Sequence, residues 1–349
     1  MDILSMTLEE VTRAFSEKSI QSFRARQVYD WLHKRLARSY DEMTNLPKLL
    51  RLELSESFPI THCETELKQV AADGTMKFLF SMEGGDYAEC VLMKYKYGYS
   101  ICVSSQIGCR MGCRFCASTL DGFKRNLSPG EMLSQVYLAQ KEAGERISHI
   151  VLMGMGEPLE NYDNVIRFLQ LVSNEAGLNI SMRNISLSTC GLVPKINELA
   201  QLHLQLTLSV SLHAPNDRIR NTIMPVSRKY KIEDLLGACK KYTQTTSRRI
   251  SFEYAMLSGV NDSDECADEL GSRLKGMLCH VNLIPVNEVA KSPFRPSSPE
   301  RVKAFAGIVE KYGISVTVRR KLGSDIDASC GQLRRRRNTE GGIQNDSGS

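Results

Sequence analysis

Three textures of apolar and polar positions follow one another along the chain. In the first ~85 residues, Leu8 to Phe15 and Arg24 to Leu36 space their apolar residues as helices do, with Val28, Trp31 and Leu32 on one stripe. Met43-Thr44-Asn45-Leu46-Pro47 interrupts that rhythm, and Pro47 opens a further helix running toward Phe58. From Val70 to Val103 the pattern turns to short β runs, among them Lys77–Ser81 and Ala88–Met93, separated by turn signals at Asp73-Gly74 and Gly84-Gly85. From about Tyr99 a strict alternation sets in. Strand-like runs recur at Ser100–Ser104, His149–Met153, Asn184–Ser188, Leu206–Ser211, Arg249–Tyr254, Val281–Ile284 and Ser315–Arg319. Helical stretches fall between most of them, at Pro129–Gly144, Asn161–Asn174, Ile232–Thr243, Asp262–Leu274 and Pro299–Tyr312. Ser128-Pro129-Gly130-Glu131 supplies a cap, a proline at the first helical position and a capping-box glutamate.

Repeated strand–helix pairing with β-branched, buried strands predicts a parallel sheet with helices outside. Six or seven such units are too few for an eightfold barrel. The expected fold is therefore α/β: an open, partial (β/α) barrel of about six parallel strands, with a small helical N-terminal domain. The expected divisions are 1–85 for a mainly helical accessory unit, 86–337 for the core, and 338–349 for a polar tail expected to be disordered.

Composition narrows the class. The 349 residues are 42% hydrophobic and 24% charged, ordinary for a soluble globular chain. No apolar run approaches the ~20 residues that span a bilayer. The start, MDILSMTLEEVTRAF, has acids and helical rhythm where an export signal has a basic region and an apolar stretch, so the chain reads as unexported and cytoplasmic. In a reducing compartment, eleven cysteines do not read as a disulfide framework; clustered ones are candidates for metal binding or catalysis. The net charge is +5, with seven Arg/Lys from Arg319 to Arg337 against Asp325 and Asp327. Such a segment suits either a polyanion or solvent.

In sheets of this kind the chemistry sits on loops after the carboxyl ends of the strands. Cys109-Arg-Met-Gly-Cys113-Arg-Phe-Cys116 follows the first strand of the alternation, Gly154-Met-Gly-Glu157-Pro the second and Ser188-Thr-Cys-Gly191 the third. Ser211-Leu212-His213-Ala-Pro follows the fourth and Asn287 the sixth. Structural zinc wants four closed ligands, and no second cysteine pair lies nearby. Three thiolates on one short loop suit a [4Fe–4S] cluster with one iron left open for a substrate.

C-x3-C-x-aromatic-C, with Phe115 as the aromatic, resembles the signature of radical S-adenosylmethionine enzymes. Further motifs resemble the bacterial RlmN family: CVSSQIGC from Cys102, MGMGEPL from Met153, SLHAPND from Ser211, NLIPVN from Asn282 and DIDASCGQL from Asp325. The likeness runs from residue 1 to about 333. The sister Cfr family, which methylates carbon 8 of the same ribosomal adenosine, usually reads GEAL and LIRYN where this chain has Gly156-Glu157-Pro158-Leu159 and Leu283-Ile284-Pro285-Val286-Asn287. Glu288 stands where RlmN chains often carry proline.

The resemblance implies methylation of carbon 2 of an adenosine in 23S rRNA and of the adenosine 3′ of the anticodon (position 37) in tRNAs. That carbon lies between two ring nitrogens and is too electron-poor to attack a sulfonium methyl, so a one-electron route is needed. The resemblance further implies a [4Fe–4S] cluster on Cys109, Cys113 and Cys116, and two S-adenosylmethionine molecules consumed per methylation. One methylates Cys330; the other yields the radical that removes hydrogen from that S-methyl group. The methylene radical joins the adenine carbon, and Cys102 then takes the proton and closes a transient disulfide with Cys330. Glu89 matches a glutamate proposed in the family as proton acceptor, and which of Cys102 and Glu89 acts first stays open. Gly156, Glu157, Ser188, Ser211, Leu212, His213 and Asn287 match cofactor contacts.

Taken singly, most of these residues have ordinary alternatives: a half-buried core cysteine at Cys102, an exposed strand glutamate at Glu89, a structural histidine at His213. Arg24, Arg26, Arg35, Lys124, Arg125 and Arg319 to Lys321 are candidates for a phosphate-binding face, without assignment. The implied partners are 23S rRNA, tRNA and an electron donor such as flavodoxin or ferredoxin, with no membrane and a monomeric chain. The rivals are a Cfr-like carbon-8 methyltransferase, a radical enzyme that activates another protein, and a non-catalytic iron–sulfur or zinc RNA-binding module.

Overall fold

The computed structural model describes residues 2–286, 293–320 and 326. Asn287, Cys330 and the tail from 338 lie outside the described residues.

The chain opens with three helices, α1 (Leu8–Glu17), α2 (Ser22–His33) and α3 (Lys48–Ser57). Thr7 and Glu10 close a reciprocal capping box on α1, satisfying amides that the helix leaves free. The apolar stripe predicts a second helix reaching Leu36, but α2 stops at His33 and Leu36 takes a left-handed φ of 58°. Its side chain is nonetheless buried, so tertiary packing ends the helix before the periodicity does.

A β meander follows: β1 (Glu64–Val70), β2 (Met76–Ser81), β3 (Tyr87–Tyr95) and β4 (Gly98–Cys102), each antiparallel to the next. A short hairpin, β5 (Gln106–Gly108) and β6 (Phe123–Asn126), brackets the cysteine loop. Gly108 closes it: at φ 75°, an added Cβ would lie 1.8 Å from the Gly122 carbonyl oxygen.

The barrel then runs α4 (Pro129–Ala143), β7 (Ile147–Leu152), α5 (Tyr162–Ser173), β8 (Ile185–Thr189), α6 (Val193–Gln201) and β9 (Thr207–Ser211). After β9 come α7 (Asp217–Ile223), α8 (Ile232–Thr246), β10 (Ile250–Met256), α9 (Asp264–Leu274), β11 (Cys279–Pro285), α10 (Pro299–Glu310) and β12 (Ser315–Val318). The order in the ten-stranded sheet is β1-β2-β3-β4-β7-β8-β9-β10-β11-β12. The seven strands from β4 to β12 are parallel and lie in chain order, which is the open (β/α) barrel. The strands before residue 85 hydrogen-bond into the same sheet.

One continuous apolar core joins the N-terminal helices to the barrel. Buried His33 Nδ1 meets the Tyr137 hydroxyl of α4 at 2.7 Å, and Ser134 of the same helix accepts the Cys63 amide at 2.7 Å. Arg167 of α5 holds Glu10 through two bonds of 2.8 and 3.1 Å. Among the described residues no helix is long and apolar enough to cross a membrane.

Candidate active site

The sheet wraps around a cavity of about 380 Å³, reached by β3, β4 and the parallel strands β7 through β11. Pockets of this size hold small molecules. Its wall carries Cys109, Cys113 and Cys116 from the hairpin loop, Gly156 and Glu157 after β7, Ser188 on β8, Ser211 and His213 around the end of β9, and Cys102 at the end of β4. Nine of the residues marked by motif thus converge on one rim. Leu212 does not: its side chain is in the core, and the cavity wall passes from Ser211 to His213 without it.

Gly156 permits the closest approach of two loops. At φ 106°, an added Cβ would sit 2.6 Å from the Gln106 Cβ. Gln106 in turn accepts the Glu157 amide at 2.8 Å and donates to Glu160 at 3.0 Å, tying the cysteine hairpin to this loop. The Glu157 carboxylate is buried and accepts the Cys190 and Leu159 amides at 2.7 and 3.0 Å. Burial pushes its pKa up, and those amide bonds oppose the rise.

His213 takes a left-handed φ of 56° and accepts the Ala255 amide at Nδ1, 2.9 Å away. Burial, helped by nearby Arg220, pushes its pKa down to about 3, so the imidazole is neutral. With Nδ1 accepting, the proton sits on Nε2. Phe115 of the cysteine motif packs edge-on against the ring, centroids 4.9 Å apart.

Cys102 is 4% exposed and belongs to a small apolar cluster with Val91 and Met93, apart from the main core and against the cavity. Glu89 is two residues before Val91 on the same face of β3, yet it is fully buried rather than in the cavity wall. Its carboxylate pairs with Lys77 Nζ of β2 at 3.0 Å, both side chains at most 1% exposed. The exposed-glutamate alternative is therefore excluded.

None of the ten described cysteines is in a disulfide. Burial pushes the Cys109 thiol up to about 12 and the Cys113 thiol higher, and the triplet's mutual charges add to this. Bare thiolates are thus unfavourable there; a bound metal reverses that preference. Among the described residues no three His, Cys, Asp or Glu side chains converge on a single-ion site. A polynuclear cluster, which spreads its thiolates over separate irons, fits these three thiols around one cavity.

Sequence patterns missed three residues. Gln106 lies inside a quoted motif but carried no role. Glu253, in the cavity wall and 4% exposed, accepts from Ser251 and Asn282 at 2.7 Å each; its signal is a charge inside the apolar Arg249–Tyr254 run. Arg220 is wholly buried, six residues past Ala214. Of the basic candidates, Lys124 and Arg125 are engaged with Asp86, and Arg125 also with Glu131. Arg35 pairs with Asp30 and covers the Trp31 ring. Arg319 and Arg320 are exposed at the cavity.

A three-thiol loop on the carboxyl rim of an open parallel barrel defines the radical S-adenosylmethionine class, and the Radical SAM superfamily model matches residues 103–270. The model of the ribosomal RNA large subunit methyltransferase N-terminal domain matches residues 1–60. Curated relatives named probable dual-specificity RNA methyltransferase RlmN share 54% identity over 335 residues in Clostridium perfringens strain SM101, covering 96% of both chains. The relative of that name from Lachnospira eligens shares 52% over 334 residues, covering 95% of both. The crystal structure of a radical SAM methyltransferase from Sphaerobacter thermophilus superposes with a TM-score of 0.92 at 44% identity, covering 95% of this chain and 98% of that one. This chain belongs to the RlmN family.

Proposed function

We propose that this chain methylates carbon 2 of adenosine in 23S rRNA and at position 37 of tRNAs, in the cytoplasm and as a monomer. The observation that carries the reading is the convergence of the cysteine triplet, the Gly156-Glu157 loop, Ser188, Ser211, His213 and Cys102 on one cavity. In this reading Cys109, Cys113 and Cys116 hold a [4Fe–4S] cluster. Gly156, Glu157, Ser188, Ser211, Leu212, His213 and Asn287 hold S-adenosylmethionine. When bound, this pair supplies one-electron chemistry and the methyl group, two S-adenosylmethionine molecules per product. An electron donor such as flavodoxin or ferredoxin feeds it.

The chain's own residues do the rest. The Cys330 sulfur carries the methyl group before it reaches adenine. Cys102, held at the cavity wall by β3 and β7, forms a disulfide with Cys330 as the bond from that sulfur to the methylene carbon breaks and the carbon takes up a proton to become the product's methyl group, having first removed the proton from carbon 2. Glu89 takes that proton onward, with Lys77 keeping its carboxylate oriented while water is excluded. Residues 1–85 form the accessory unit that approaches RNA, and 86–337 the methyltransferase core.

The test is mass spectrometry of adenosines from 23S rRNA and tRNA treated with the reconstituted, reduced protein and S-adenosylmethionine. A 2-methyladenosine product is expected. An 8-methyl product moves the chain to Cfr chemistry, and no methyladenosine at all overturns both. Methylation surviving Cys330→Ala would overturn the methyl-cysteine route.

A further inference from the structure

Arg220, in α7, is 0% exposed. Its Nε donates to the Leu212 carbonyl at 3.1 Å, and its Nη2 donates to the Cys190 and Ser211 carbonyls at 2.7 and 3.2 Å. Nη1 is buried and has no hydrogen-bond partner among the described residues. Every acceptor is a neutral backbone oxygen. Among the described residues no carboxylate lies within ion-pair distance; Asp217 of the same helix acts on it only from further away. A guanidinium taken out of water is costly unless an anion offsets it.

The anion has a place next to α7. The Arg114 amide, one residue past Cys113, donates to the Ile223 carbonyl of α7 at 2.9 Å. An added Cβ on Gly112 would lie 3.5 Å from the Pro225 ring that follows the helix. Arg220 and Cys113 feel one another's charge, and so do Arg220 and Cys190. Three thiolates around an oxidised [4Fe–4S] cluster leave a net negative charge, which deepens by one on reduction.

We propose that Arg220 is the buried counter-charge of the cluster: a positioning residue that clamps the Cys190 and Ser211-Leu212 loops and favours the reduced cluster. The inference rests on the assignment of Cys109, Cys113 and Cys116 to that cluster. A fixed cation in a dry site stabilises whichever redox state carries more negative charge, so it raises the reduction potential. A purely structural clamp would hold the loops without setting that potential.

The test is an anaerobic redox titration, followed by electron paramagnetic resonance, of reconstituted full-length protein, Arg220→Gln and Arg220→Lys. Iron content is measured on each. In Arg220→Gln, the ratio of reduced to oxidised cluster at a fixed potential should fall at least tenfold, equivalent to about 59 mV for a one-electron couple. Arg220→Lys keeps the charge while losing part of the carbonyl clamp, and should stay within about threefold of the parent. An unchanged potential in folded Arg220→Gln with its full iron overturns the inference. So does a tenfold fall in Arg220→Lys, or failure of both variants to fold, which would leave Arg220 a structural clamp alone. If the parent protein itself holds no four-iron cluster, the cluster assignment fails instead.

Discussion

Two Lys or Arg side chains are buried among the described residues, and they are treated in opposite ways. On the antiparallel side, Lys77 of β2 meets Glu89 of β3 at 3.0 Å, and the pair closes its own charge balance. On the parallel rim, among the described residues, Arg220 meets only carbonyls and keeps one nitrogen unpartnered. The first cation is complete without a ligand. The second leaves positive charge over, beside the loop of Cys109, Cys113 and Cys116, the proposed cluster ligands. The difference separates a charge that serves the protein's own carboxylate from one that serves what the protein binds.

The largest effect should break the closed pair. Lys77→Met removes the ion-pair partner of buried Glu89 and should cost about 3–5 kcal/mol of stability in urea unfolding. Lys77→Met/Glu89→Leu removes both charges and should recover most of that loss. Additive losses in the double variant would show that the pair is not self-contained.

On the rim, Arg220→Met in the metal-free protein removes an unpaired charge along with three hydrogen bonds. It should cost less, about 1–3 kcal/mol, from carbonyls left without donors. A loss as large as that of Lys77→Met would erase the contrast between the two cations.

Histidines extend the contrast to pH. Burial pushes both His33 and His213 down to about 3 from the ordinary 6.5. Between those values the unfolded chain binds protons that the folded chain refuses, so stability is full above about 6.5 and falls as pH drops toward about 3. Each imidazole contributes a slope of at most ~1.4 kcal/mol per pH unit. His33→Gln should flatten that slope by about one imidazole's share, while Arg220→Met removes the secondary cause at His213 and leaves burial in charge. Unfolding midpoints measured from pH 7 to 4 decide both.

The smallest effect belongs to the surface. Lys94 and Glu145 pair at 3.3 Å with half of each side chain exposed. Lys94→Ala should change stability by less than about 0.5 kcal/mol, and by less still at high salt.

The seven parallel strands were legible because each is a short β-branched run between turn signals; the run expected at Val281–Ile284 lies within β11. The helices α6 and α7 were not. The first is nine residues and the second seven, too short for a periodicity to stand out. The start of α7 is set by the Asn216 side chain accepting the Ile219 amide, a cap that only the folded loop reveals. In the site, the three cysteines could be read from spacing because one loop carries them. Glu253 and Arg220 could not, since a single charge in an apolar segment gains meaning only once its burial and partners are known.

By itself, the order of residues determined the alternation of strands and helices, the loops that carry chemistry, and the family to which the chain belongs. These are local signals: period, cap, turn and motif are all written within a few consecutive positions. Only the tertiary structure decided that Cys102 borders the cavity while Glu89 is sealed behind it with Lys77. It also decided that Arg220 reaches the carbonyls of two rim loops. Solvation and charge pairing depend on what lies a few ångströms away in space, and residues distant in sequence supply that neighbourhood only after the sheet has curled.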